Sequence, residues 1–113
     1  MRIGVPKEIK VHEYRVGMTP GSVREAVERG HEVVVETGAA ARQGLWDADY
    51  RRAGATIAAT ADEVFGTADL IVKVKEPQPA EIRMLRAGQT LFSYLHLAPD
   101  PEQTKALVAA GVT

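Results

Sequence analysis

The hydrophobic pattern alternates between short, continuously apolar runs and stretches with helical spacing. Apolar or β-branched runs cover residues 2–5, 32–36, 55–58, 70–74 and 90–95, the third being the least marked. Between the first two, Val23, Ala26 and Val27 form the stripe of a helix that Thr19 caps and Pro20 opens, where an N–H is not needed. Gly30 supplies its stop. Asp47 is placed to cap a short helix through Tyr50 and Arg51 that Gly54 ends. Thr60-Ala61-Asp62-Glu63 has capping-box spacing and starts a helix ending near Gly66. A short helix over residues 80–86 follows. Asp100-Pro101 then opens a last helix, with Leu107 and Val108 on its apolar face and Gly111 at its end.

Strand, loop, helix and glycine recur five times in this order. That alternation predicts an α/β fold, an open and mostly parallel sheet with helices on both faces, Rossmann-like or flavodoxin-like. Residues 33–35 and 70–72 are apolar at every position, as strands covered on both sides should be. Residues 7–18 and 37–46 read as loops, with Leu45 and Trp46 as packing residues. Gly111-Val112-Thr113 has the form of a helix exit into a further strand, so the chain reads as the amino-terminal piece of something longer.

Composition narrows the function classes. The 113 residues suffice for one domain, and the apolar fraction of 45% is ordinary for a globular one. Fourteen Lys and Arg against fifteen Asp and Glu give a formal net charge of -1, without a block of like charge. Neither a nucleic-acid surface nor a membrane surface is indicated. Zero cysteines exclude disulfides and thiolate metal sites and fit a cytoplasmic setting. His12 and His31 lack metal-ligand spacing, so no metal is expected. No G-x-G-x-x-G and no P-loop accompany the α/β pattern.

In open parallel sheets, ligands bind beyond the carboxyl ends of the strands. Three chemically capable residues fall at that edge: Arg15 in the loop after the first run, Lys75 where the fourth stops, and His96 where the fifth stops. Arginine offers a bidentate fork for a carboxylate, lysine a point charge, and histidine a proton exchangeable near neutrality. Together they suit a small α-keto or α-amino acid. Each taken singly also fits a structural part: a solvated charge, a surface ion pair of Lys75 with Glu76, a hydrogen-bonding histidine. Strand alternation puts Lys73 and Lys75 on one face, which is either an exposed edge or the opening of a site.

The segments Met1-Arg2-Ile3-Gly4-Val5-Pro6-Lys7-Glu8, Glu13-Tyr14-Arg15-Val16, Thr19-Pro20, Lys73-Val74-Lys75-Glu76-Pro77-Gln78-Pro79 and Tyr94-Leu95-His96-Leu97 together resemble the amino-terminal segment of the alanine dehydrogenase family, in order and spacing. The nucleotide-binding subunit of proton-translocating transhydrogenase shares the opening and the Glu-x-Arg-Val element. It lacks the Lys-Glu-Pro pattern and the histidine, so the sequence resembles the dehydrogenase branch. The resemblance implies NAD-dependent interconversion of L-alanine with pyruvate and ammonia, by a cytoplasmic homo-oligomer, a hexamer in this family. Residues 1–113 would be the amino-terminal part of the substrate (catalytic) domain, with the NAD-binding domain absent from this chain and the chain alone inactive. Arg15 and Lys75 would hold the substrate carboxylate, and His96 would serve as general acid and base. The alternatives are a transhydrogenase subunit and a non-catalytic α/β binding module. Residues 40–44 are poorer in glycine than the family's loop, and the residues flanking Arg15 are unfamiliar.

Overall fold

The computed structural model describes residues 1–95 and 101–113. Strands β1 (Arg2–Val5), β2 (Glu32–Glu36), β3 (Thr56–Ala58), β4 (Leu70–Val72) and β5 (Thr90–Phe92) alternate with helices α1 (Pro20–Glu28), α2 (Asp47–Ala53), α3 (Ala61–Thr67), α4 (Pro79–Ile82) and α5 (Pro101–Ala110). All described pairings are parallel, in the order β3-β2-β1-β4-β5, which is the α/β open sheet expected from the pattern. Beyond β5, the Leu91 N–H donates to the Thr113 carbonyl at 2.8 Å and the Thr113 N–H to that of Gln89 at 2.9 Å. The exit from α5 thus runs beside β5, as a further strand would.

The period of two explains why the runs are apolar throughout. Ile3, Val5, Val33 and Val35 enter one core with Val23 of α1 and Tyr50 and Ala53 of α2. Val34, Ala58 and Ile71 enter the other, with Val64 and Phe65 of α3, Leu85 and Leu107. Both faces are covered, so neither parity can be polar. On the second face, a Cβ at Gly4 would stand 2.7 Å from the Ala68 Cβ and 2.8 Å from the Val64 Cγ1. A glycine in β1 lets α3 lie directly on the strand.

Several boundaries differ from the sequence reading. The fourth strand ends at Val72 rather than 74 and the fifth at Phe92 rather than 95. The helix expected over 80–86 is the four-residue Pro79–Ile82. Asp47 is the first residue of α2 rather than its cap, and accepts the Gly38 N–H at 2.9 Å across the preceding loop. Trp46 occupies the cap position and is 60% exposed, so it does not pack as expected. Thr60 caps α3 as predicted, accepting the Glu63 N–H at 3.3 Å. The proposed Asp100 cap lies outside the described residues.

Candidate functional site

The sheet reverses direction between β1 and β4: one branch of the chain builds outward through β2 and β3, the other through β5. At such a reversal the loops leaving the two central strands diverge and open a crevice. Here those loops carry residues 6–19, with Arg15, and residues 73–78, with Lys75. Both therefore lie at one edge, on either side of the reversal.

Arg15 is held by its neighbour two residues earlier. Its Nε donates to Glu13 Oε2 at 2.9 Å and its Nη2 to Oε1 at 2.8 Å, while its main-chain N–H also reaches Oε2. The Glu13 side chain is 4% exposed and that of Arg15 60%. The carboxylate thus fixes the fork along one side and leaves the outer N–H groups facing solvent. The Arg15 hydrogen bonds, with a smaller charge effect from Lys75, bring the Glu13 carboxyl down to about 2. The same pairing raises the Arg15 guanidinium, to which the charge of Glu8 adds.

The first loop is braced from both ends. His12 sits at φ 65, in the left-handed region, with its Nδ1 3.0 Å from the Tyr14 hydroxyl. The Arg42 guanidinium stacks 4.9 Å above the Tyr14 ring, tying this loop to the one after β2. Further on, the Tyr50 hydroxyl donates to the Met18 carbonyl at 2.7 Å, and burial pushes that phenol up to about 12. Gly17 passes so close to β4 that a Cβ there would stand 2.4 Å from the Val72 carbonyl oxygen. This close approach seats the Arg15 loop against the end of β4.

At that end, the expectation that Lys73 and Lys75 share a strand face fails because the strand stops first. Lys73 turns inward and is 4% exposed. Its Nζ lies 2.9 Å from Glu8 Oε1 and 3.5 Å from Glu81 Oε1, and donates to the Lys75 carbonyl at 3.0 Å. Glu8 also accepts the main-chain N–H groups of Val74 at 3.0 Å and Lys75 at 3.1 Å. Burial pushes the Glu81 carboxyl up against the pull of Lys73. Glu76 is buried and bonded to Lys10, so the surface pair with Lys75 does not form. Lys75 itself is half-buried.

A cleft of about 340 Å³ opens between the first loop and residues 38–42. Arg15, Glu13 and Glu8 line it; Lys75 does not, and meets this group through the Glu8 carboxylate beneath it. Arg15 and Lys75 are thus brought to one edge on separate buried carboxylates, Glu13 for the Arg15 side chain and Glu8 for the Lys75 main chain. His96, the proposed acid and base, lies outside the described residues. Sequence reasoning missed Glu8, Glu13 and Glu81. One signal was available: a lysine between Val72 and Val74, in a run otherwise apolar, needs a buried counter-charge.

A dinucleotide pyrophosphate needs free backbone N–H groups at a tight glycine turn opening a helix. Here β1 leads instead into Pro6 and the buried carboxylate of Glu8, which already occupies the N–H groups of Val74 and Lys75. The described residues of this crevice do not fit NAD. They fit a small carboxylate, which Arg and Lys can pair without a glycine turn. Among the described residues, no helix is long and apolar enough to cross a membrane.

Comparison with known proteins identifies the family. The family described as alanine dehydrogenase/PNT, N-terminal domain, matches residues 4–113. An alanine dehydrogenase of Halomonas elongata is 52% identical over 113 residues, covering 100% of this chain and 30% of that protein. A solved L-alanine dehydrogenase superposes with a TM-score of 0.97 at 49% identity, covering 100% of this chain and 31% of that one. A transhydrogenase structure from Sinorhizobium meliloti gives 0.94 at 33% identity, covering 100% of this chain and 33% of that one. The chain thus spans about a third of the length of these relatives. On sequence and fold together, it belongs to the alanine dehydrogenase/PNT family, as an N-terminal domain.

Proposed function

We propose that this chain is the substrate-carboxylate half of an NAD-dependent alanine dehydrogenase. The reaction takes L-alanine, NAD⁺ and water to pyruvate, ammonium, NADH and a proton, and runs in reverse as reductive amination. The observation that carries the reading is the pair of cationic side chains, Arg15 and Lys75, on the two loops that diverge at the sheet reversal. Identity near one half to proteins named alanine dehydrogenase supports the substrate.

In this reading Arg15 offers its outer N–H groups to the carboxylate, its inner side being already committed to Glu13. Lys75 adds a point charge from the other loop. Two fixed cations orient the bound acid so that its C2 carbon faces the cofactor, which accepts or returns the hydride. His96 exchanges a proton with the C2 oxygen or nitrogen. The NAD itself is held by residues outside this chain.

The test is a full-length alanine dehydrogenase whose first 113 residues are this chain. Arg15→Ala and Lys75→Ala should each raise KM for pyruvate roughly 10- to 100-fold, the loss expected for a charged hydrogen bond. His96→Ala should lower kcat with little change in that KM. Unaltered pyruvate kinetics in both cation variants would sink the reading. A transhydrogenase subunit is the competing reading, supported by the superposition of 0.94. It predicts no ammonia-dependent oxidation of NADH by pyruvate.

A further inference from the structure

We propose that the buried Glu8–Lys73–Glu81 cluster is a positioning device for Lys75, clamping its main chain so that the ammonium is presented to the substrate carboxylate. The inference rests on the reading of Lys75 as a carboxylate-binding residue.

Past β4 the sheet supplies only part of the backbone's partners. β4 ends at Val72, and the Lys73 N–H donates to the Phe92 carbonyl at 3.1 Å. The Val74 carbonyl still accepts the Tyr94 N–H at 3.2 Å, and the other polar groups of residues 74 and 75 turn to the cluster. Glu8 Oε2 accepts the Val74 N–H, Glu8 Oε1 accepts the Lys75 N–H, and Lys73 Nζ donates to the Lys75 carbonyl. The Lys75 backbone is therefore gripped at both its donor and its acceptor, and both grips belong to one ion pair. Glu81 lies on the other side of Lys73 and accepts the Gln78 N–H at 2.8 Å, which anchors the far end to α4.

The cost of the arrangement argues for a role beyond holding the fold. The Lys73 and Glu8 side chains are each 1% exposed, so both charges are taken out of water. Apolar residues of similar volume at such positions are often neutral or stabilising. What a packed apolar pair cannot do is bind the two N–H groups and the carbonyl of a loop that must stand in one place. Glu8 also leaves β1 on the loop that carries Arg15.

The test uses the full-length dehydrogenase carrying this chain and a double-mutant cycle of Glu8→Gln with Lys75→Ala. Glu8→Gln keeps shape and removes the charge. It should raise KM for pyruvate roughly 10- to 100-fold by misplacing Lys75, with KM for NADH unchanged. In the Lys75→Ala background the same substitution should change KM for pyruvate less than about twofold, because the group it positions is gone. A full effect persisting in that background, or no effect of Glu8→Gln alone, would overturn the proposal. If Lys75→Ala alone leaves KM for pyruvate unchanged, the carboxylate reading of Lys75 has failed instead. Should Glu8→Gln not fold, Lys73→Arg carries the same cycle. It keeps the charge, but a planar fork cannot set one donor against both Glu8 and the Lys75 carbonyl.

Discussion

Two ion pairs lie at the same edge of the sheet and have almost the same length. Arg15 Nη2 stands 2.8 Å from Glu13 and Lys73 Nζ 2.9 Å from Glu8. They differ in which charge water can reach. Arg15 is 60% exposed and its partner 4%, whereas Lys73 and Glu8 are each 1% exposed. An exposed guanidinium held along one side is stabilised little by its ion pair, yet can accept a second carboxylate from solution. A pair with both members buried cannot change partners, because separating it leaves a charge without water or counter-charge. At this edge, exposed charge suits recognition and buried charge suits holding.

The largest effect that would break the comparison belongs to the buried side. Lys73→Ala strands Glu8 and Glu81 together without their cation, and should cost about 3–5 kcal/mol in urea unfolding. Arg15→Ala should lower the unfolding midpoint less than Lys73→Ala does, because the charge it removes is solvated, while abolishing much of the pyruvate affinity of the full enzyme. If the two substitutions proved equally destabilising, the division into a holding pair and a recognising pair would be wrong.

The next effect lies at the seam between the two regions. Gly17 touches the Val72 carbonyl so closely that an added Cβ would approach it to 2.4 Å. The obstacle is backbone in the sheet, so neither side can yield cheaply. Gly17→Ala should cost about 1–3 kcal/mol by overpacking, read as a lowered denaturation midpoint. It should also raise KM for pyruvate in the full enzyme, since the Arg15 loop is pushed away from Lys75. Normal stability in this variant would mean that the loop is not seated on β4.

The two regions were unequally legible in the sequence. Arg15 and Lys75 could be placed at one edge because parallel βα units force every strand to end on the same side. The sheet order, and hence the reversal between β1 and β4, does not follow from that alternation, since it depends on which strand packs beside β1. The burial of Lys73 was hidden because a strand extrapolated to residue 74 gave it the same face as Lys75. The strand in fact ends at Val72, and Lys73 beyond it is bonded to a carboxylate 65 residues earlier in the chain. Glu13 sat in view two residues before Arg15, but in a segment read as a loop the pattern does not say which side chains meet. Trp46 was misjudged for a related reason: a helix cap holds its backbone, not its ring, and the ring stays in solvent.

The smallest effects separate the two regions by pH. Glu13 titrates in the folded chain at about 2, against an ordinary 4.5, because Arg15 favours its charged form. A depressed carboxyl contributes stability that is present above the unfolded value and is lost as pH falls from about 4.5 through about 2. Glu81 runs the other way. Its buried carboxyl is raised, so the folded chain holds the proton more tightly than the unfolded one. Its contribution is fully present below the unfolded value and declines as pH rises above it. Urea unfolding from pH 2 to pH 7 should therefore show opposite changes for two single substitutions. Relative to the parent, Glu13→Gln should lose stability near neutrality and recover parity toward pH 2. Glu81→Gln, which mimics the protonated acid, should gain on the parent as pH rises. Parallel curves for the two variants would mean that Lys73 keeps Glu81 ionised against the charge of Glu8, and that the buried cluster carries two full negative charges against its single cation.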